Sequence, residues 1–204
     1  MESLCALYAQ PHNVRQPVVC VDEKSKQLLG ASRPALPLHP GHIAKEDYEY
    51  VRRGTGNIFM AVEPLGGHRE TAVTARRTKT DFVQFVCGLL AGAYRHATKL
   101  HLVLDNLNTH FRGSFEEVLG AKAAGVLRRL EFHYTPKHAS WLNLAELELG
   151  IMERQCTARR LPDLVTLASE LAAWQRDRNA AKICLHWKFT RQDAKRKLGR
   201  HYVT

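Results

Sequence analysis

Pro17-Val18-Val19-Cys20-Val21 runs into Asp22-Glu23-Lys24, and later in the chain Leu102-Val103-Leu104 runs into Asp105-Asn106. Each is a short apolar run that turns charged or polar at its end, the pattern of a buried strand delivering a carboxylate. In open α/β sheets ligands bind at strand ends, so Asp residues ending two neighbouring strands sit close together. Close carboxylates repel, and they need a proton or a cation between them. Hard oxygen ligands without a paired-cysteine or paired-histidine motif favour Mg²⁺ or Mn²⁺ over zinc.

Working outward, Leu28 to Arg53 holds Pro34, Pro37, Pro40 and Gly41, too broken for a helix, and is expected to be a long loop. Asn57 to Val62 and Glu70 to Thr74 flank Pro64-Leu65-Gly66-Gly67, a hairpin signal. From Asp81 the period changes. Phe82, Val83, Val86, Leu89, Leu90 and Ala93 recur at three- and four-residue steps, the stripe of an amphipathic helix. Phe111 to Ala124 is expected to be helical and Leu130 to Tyr134 a fifth strand; Ser140 caps a helix through Gln155, and Asp163 caps another. The order β-β-β-α-β-α-β-α predicts an α/β fold with a mixed five-stranded sheet flanked by helices.

The 204 residues suffice for one ordinary domain, and 45% apolar with 25% charged residues excludes disorder and fibrous repeats. The net charge of +10 favours a polyanionic partner. From Trp174 onward nine Lys/Arg face two Asp, a net +7, with Trp187, Phe189 and Tyr202 interleaved; the run reads equally as a solvated tail or as a surface that stacks on nucleic acid. No run is apolar over the ~20 residues that cross a bilayer, and the start lacks signal-peptide order, so the expected location is cytoplasmic, with no membrane partner. Five scattered cysteines form no CxxC pair. His133, His138 and Cys156 offer zinc-type ligands in spacings that match no standard pattern.

A third carboxylate is expected from the helix after Ser140. Leu142, Ala145, Leu149 and Met152 form its buried stripe, Asn143, Glu146 and Glu153 share an adjacent line, and Glu148 points away. Taken singly, an Asp ending a strand is often only a turn former, and a helical Glu usually faces water.

Three blocks carry a resemblance. Cys20 to Gln27, Leu104-Asp105-Asn106-Leu107-Asn108-Thr109-His110, and Thr135-Pro136-Lys137-His138-Ala139-Ser140-Trp141-Leu142-Asn143-Leu144-Ala145-Glu146 resemble, in order, the catalytic blocks of bacterial insertion-sequence transposases of the Tc/mariner superfamily. The resemblance implies an RNase H-like DDE (integrase-like) catalytic domain for metal-dependent DNA strand cleavage and strand transfer. It makes Asp22, Asp105 and Glu146 the catalytic triad holding two Mg²⁺ or Mn²⁺ ions. Forty residues lie between Asp105 and Glu146, and Glu146 is assigned by its Leu142-Asn143-x-x-Glu146 context. Asn106, Asn108, His110 and Asn143 are expected to orient the triad. Arg52, Arg53, Arg76, Arg77, Lys188, Lys195, Arg196 and Lys197 are expected to contact DNA phosphates.

The resemblance further implies transposon-end and target DNA as partners, a homodimer on DNA, a TA target and association with the nucleoid. The family places helix-turn-helix units before the catalytic domain, and only 21 residues precede Asp22, so the chain reads as the catalytic portion alone. Residues 1–16 are expected to be a leader or linker remnant, 17–160 the catalytic domain, and 161–204 its basic helical extension. The alternative is a non-catalytic DNA-binding remnant of a truncated transposase.

Overall fold

The computed structural model describes residues 1–45 and 47–198. Strands β1 (Val18–Ala31), β2 (Tyr50–Glu63) and β3 (His68–Thr74) form an antiparallel meander. β4 (Leu100–Leu104) and β5 (Leu130–Tyr134) add in parallel beside β1, giving the order β3-β2-β1-β4-β5. Helices α1 (Glu2–Tyr8), α2 (Lys79–Ala91), α3 (Arg112–Leu119), α4 (Ala123–Leu127), α5 (Leu144–Met152), α6 (Leu164–Ala180) and α7 (Arg191–Leu198) complete the described chain. The expected mixed five-stranded sheet is present.

Strand alternation sorts the core into two faces. Val19, Val21, Phe59, Ala61, Leu102 and Leu104 pack with Phe82, Val86 and Phe115 on one side. Cys20, Val62 and Val103 pack on the other with Leu4, Leu142 and Ala145, while Ile58 and Met60 meet Leu149, Leu167 and Trp174.

Four stretches differ from expectation. Leu28–Ala31 and Tyr50–Arg53 are not loop. The β1–β2 ladder continues through Gln27↔Thr55 and, past a bulge, from Leu29↔Arg52 to Ala31↔Tyr50, so the two strands leave the sheet as an arm. Only the Pro-rich tip is irregular, tied by the Leu36↔Lys45 and His39↔His42 bridges. Residues 1–16 open with α1, whose Leu4, Cys5, Leu7 and Tyr8 are buried. The cap of α5 is Asn143, whose side chain accepts from the Ala145 N–H, while Ser140 opens a short 3₁₀ turn. The helix after Ser140 therefore breaks at Asn143 and widens into a π turn at Glu153–Thr157.

The fourth difference is Glu148, which points inward and is fully buried. The Arg69 guanidinium grips it in a fork, Nε to Oε1 at 3.0 Å and Nη2 to Oε2 at 3.2 Å, and Arg178 donates twice to Oε1 at 2.9 and 2.7 Å. Arg69 itself is fully buried on β3, and Arg178 lies on α6, so one carboxylate on α5 joins three elements. The free edge of β3 is sealed by α6: Asn179 exchanges two hydrogen bonds with the Arg69 backbone, and Gln175 accepts from the Thr71 N–H at 2.7 Å.

Removing Glu148 strands two guanidiniums, one of them fully buried. Glu148→Ala should lower the unfolding free energy by about 3–5 kcal/mol. Exposed Leu147→Ala should change it by no more than about 0.5 kcal/mol. Equal midpoints for the two variants in urea denaturation would refute the buried cluster.

Candidate active site at the ends of β1 and β4

The parallel ladder between β1 and β4 pairs Val18↔His101, Val19↔Leu102 and Cys20↔Val103. Two residues beyond the last of these pairs, Asp22 lies inside β1, which runs on to Ala31 rather than ending at the carboxylate as its sequence suggested, and Asp105 is the first residue after β4; the charge of Asp105 acts on the Asp22 carboxyl. By strand parity both follow Cys20 and Val103 onto the α5 face. Burial pushes the half-buried Asp22 carboxyl from 3.8 up to about 7; the Glu23 N–H, which donates to Oδ1 at 2.8 Å, opposes this, and the charges of Asp105 and Glu23 add to it.

Asp105 does not face solvent alone. His110, fully buried, contacts Asp105 Oδ1 through Nδ1 at 2.6 Å and Glu23 Oε2 through Nε2 at 2.7 Å. Burial acts to lower the imidazole pKa, but its two carboxylate partners outweigh that and raise it to about 9, so His110 is an imidazolium donating from both nitrogens. The second oxygen of Glu23, Oε1, is buried without a hydrogen-bond partner among the described residues, with Arg77 Nε 3.7 Å away. Glu23 thus joins the site although sequence reasoning did not single it out; its only signal was its place beside Asp22.

Asn143 fixes the approach of α5. Its Oδ1 caps the helix and its Nδ2 donates to the Val21 carbonyl at 2.9 Å, tying the first turn of α5 to the residue before Asp22. Glu146 lies in that turn, exposed, with the Ser140 hydroxyl 3.4 Å from Oε1. The structure does not bring all three carboxylates together: among the described residues, Asp22, Asp105 and Glu146 do not have ligand oxygens within 4.8 Å of one another. Of the other acids on this segment, Glu148 is taken by two arginines and Glu153 by Lys24, whereas Glu146 is in no ion pair among the described residues. Asn106 donates to the Thr135 carbonyl and holds the loop before α5; Asn108 is exposed in the turn after β4.

The basic residues divide. Arg52 and Arg53 are exposed on the arm and Arg76 and Arg77 at the entrance to α2, Arg77 beside Glu23. Lys188, Lys195, Arg196 and Lys197 are exposed near the C-terminal end, but Lys195 faces Glu2 and Arg196 pairs with Asp193. Trp187 and Phe189 are no stacking platform. They pack against Trp141, and Trp187 also against Tyr8, so their area is spent inside the fold. Tyr202 and Arg200 lie outside the described residues. His133, His138 and Cys156, whose spacings matched no standard zinc pattern, do not come together as a ligand set among the described residues.

A mixed sheet of this order, with carboxylates just beyond the paired stretch of its two central parallel strands, is the RNase H-like arrangement. A family model described as DDE superfamily endonuclease matches residues 17–168, and the chain belongs to that family. Its fold is similar to the Mos1 mariner paired end complex with Mn, at 14% identity and a TM-score of 0.54 over 89% of this chain and 56% of that one. It is also similar to a pre-cleavage Mos1 transpososome (14%, 0.53, 89% and 59%) and to the simian T-cell lymphotropic virus intasome in complex with PP2A regulatory subunit B56 gamma (12%, 0.51, 79% and 49%). The chain spans about half the length of these proteins. No curated protein matches it in sequence.

The raised Asp22 pKa has a consequence for stability. A carboxyl whose folded pKa lies above its unfolded value costs nothing below about pH 4, and its penalty grows as pH rises through about 7. In EDTA, Asp22→Asn should therefore be more stable than the parent at pH 8, by on the order of 2 kcal/mol, with the difference vanishing near pH 4. Thermal melts across that range check it, and a pH-independent difference would exclude the raised pKa that burial and the neighbouring carboxylates give Asp22.

Proposed function

We propose that this chain is the catalytic portion of a transposase that cleaves and joins DNA strands, with Asp22, Asp105 and Glu146 holding two Mg²⁺ or Mn²⁺ ions. The observation that carries the reading is that Asp22, within β1, lies near enough to Asp105, just past the end of β4, for the two charges to act on each other, inside a chain of the DDE superfamily endonuclease family. The donor set fits hard divalent cations: the groups are carboxylates, and a cation relieves the cost of ionising Asp22, which comes first from burial and then from the charges of Asp105 and Glu23. When bound, the ions supply an activated water or 3′-hydroxyl and stabilise the leaving oxygen of an in-line displacement at phosphorus.

The residues divide the remaining work. Asp22, Asp105 just past the end of β4, and Glu146 at the start of α5 are the carboxylates that would hold the ions. His110 holds one oxygen of Asp105 and so orients the other toward the site. Asn143 keeps α5 docked on β1, and rotation of the exposed Glu146 side chain brings its carboxylate in. Residues 17–160 form the catalytic domain, and 161–204 buttress it through α6 and α7. Transposon-end and target DNA, a second copy of the chain on that DNA, and a nucleoid location complete the reading.

Mg²⁺ or Mn²⁺ should support nicking of supercoiled DNA, and Asp22→Asn or Glu146→Gln should abolish it, by at least about a hundredfold, without loss of the folded circular dichroism spectrum. Equal nicking by Asp22→Asn in EDTA would reject this reading.

A second reading, a non-catalytic DNA-binding remnant, draws on the separation of Glu146 from the Asp pair and on the exposed arginines of the arm and the α2 entrance. Phosphate contacts release counterions, so each lost contact flattens the slope of log affinity against log salt by about 0.9. Arg52→Gln with Arg76→Gln should flatten the slope by about 2 on any duplex sequence. Filter binding across a salt series reads this, and an unchanged slope would move the DNA path elsewhere.

A further inference from the structure

At the other end of β4 lies a cluster that the DNA chemistry does not use. His101, which β4 pairs with Glu131, and His133, which β5 pairs with Val103, project from the same face of the sheet by strand parity. His101 Nδ1 and His133 Nε2 are 3.0 Å apart, with ring centroids at 5.2 Å and planes tilted 32°. Glu131 completes the group, Oε2 3.7 Å from the first nitrogen and Oε1 3.7 Å from the second. It is the group of three among the described residues whose ligand atoms all lie within 4.8 Å of one another.

We propose that His101, His133 and Glu131 bind one divalent ion of the zinc type, with a water as the remaining ligand, and that the ion clips edge strand β5 to β4. Two imidazoles and one carboxylate are borderline donors that suit Zn²⁺, Co²⁺ or Ni²⁺ and discriminate against Mg²⁺. A tetrahedral ion with bonds of ~2.05 Å spans ~3.3 Å between its ligands. The imidazole nitrogens need only part by a few tenths of an ångström, and the carboxylate closes by rotation of a side chain that is half exposed. The histidine side chains are 14% and 20% exposed, so the rings are already oriented by packing while the ion's open position faces water.

Without an ion the facing nitrogens share one proton in a neutral histidine–histidine hydrogen bond. On binding, that proton moves to an outer ring nitrogen, leaving both facing nitrogens as lone-pair donors. Three residues of β4 lie between His101 and Asp105, which are ~13 Å apart along the strand direction, so the two sites do not share a ligand.

The test is calorimetric titration of Zn²⁺ into chelator-stripped full chain, in excess Mg²⁺ to occupy hard-oxygen sites, followed by Co²⁺ spectroscopy. One equivalent should bind, at least tenfold more weakly in Glu131→Gln and in His133→Gln and unchanged in Asp22→Asn. The Co²⁺ complex should show visible bands without thiolate charge transfer. Glu131→Gln alters an exposed side chain, so its fold is preserved even where His133→Gln perturbs the strand pair. Zinc binding unaffected by Glu131→Gln and His133→Gln, Co²⁺ bands of a thiolate site, or no stoichiometric zinc at all would overturn the proposal.

Discussion

A parallel ladder that ends with two carboxylates abreast must compensate their repulsion, and here a buried imidazolium does so. His110 bridges Asp105 and Glu23, which sit on different strands, and so ties the end of β4 to that of β1. Were the ring neutral, one of its nitrogens would face an anion without a proton to donate. The ring also packs on Phe82 at 4.6 Å between centroids, so its position is set by the α2 face as well as by charge. Asp22 has no such partner. Its ionisation is helped by the Glu23 N–H and by the more distant His110 charge, but burial outweighs both and holds its pKa up at about 7.

The opposite face is positioned by α5, which is pinned at two points of different chemistry. At its start Asn143 ties the helix to β1; one turn further Glu148 ties it to β3 and α6 through arginines. These constraints fix the axial position and rotation of a nine-residue helix that could not hold itself in isolation. Glu146, between them, projects from a rigid backbone yet keeps a free side chain. The left-handed backbone of His138, φ 63°, marks how tightly the chain turns from β5 into this helix.

Alternation and the two strand-end Asp residues made the sheet legible, since parity alone separates Val19 and Val21 from Cys20. What escaped were features whose cause lies in a partner distant in sequence. Leu28–Ala31 is strand because Tyr50–Arg53 continues the ladder, although neither piece has a strand's composition. Glu148 lies three residues after Ala145 and four before Met152, at the edge of the buried face of its helix, and what local spacing could not show is that Arg69 and Arg178, both far along the chain, are there to satisfy its charge. The aromatic residues near the C-terminal end looked like a stacking surface because their partners, Tyr8 and Trp141, cannot be seen in local spacing. The helix α1 did carry a signal, Leu4, Leu7 and Tyr8 on one face, that was legible in principle.

Net charge is a poor guide to where a polyanion would lie, because arginine here is also a structural donor. The Arg129 guanidinium donates to the carbonyls of Leu90, Tyr94, Arg95 and Ala97, closing the exit of α2. Arg160 does the same for Asp47, Tyr48 and Glu49 and so anchors the irregular segment that leads back into β2. Arg69 and Arg178 are consumed by Glu148. These four side chains keep their charge, and hence contribute to the long-range field that draws an anion in, but their donors are committed and cannot grip a phosphate. Arg52 on the arm and Arg76 at the entrance to α2 are exposed, as are Arg15, Arg128, Arg154 and Arg176 elsewhere on the surface, so the guanidiniums whose donors are left for a phosphate are spread over the molecule rather than gathered where the net charge alone would point.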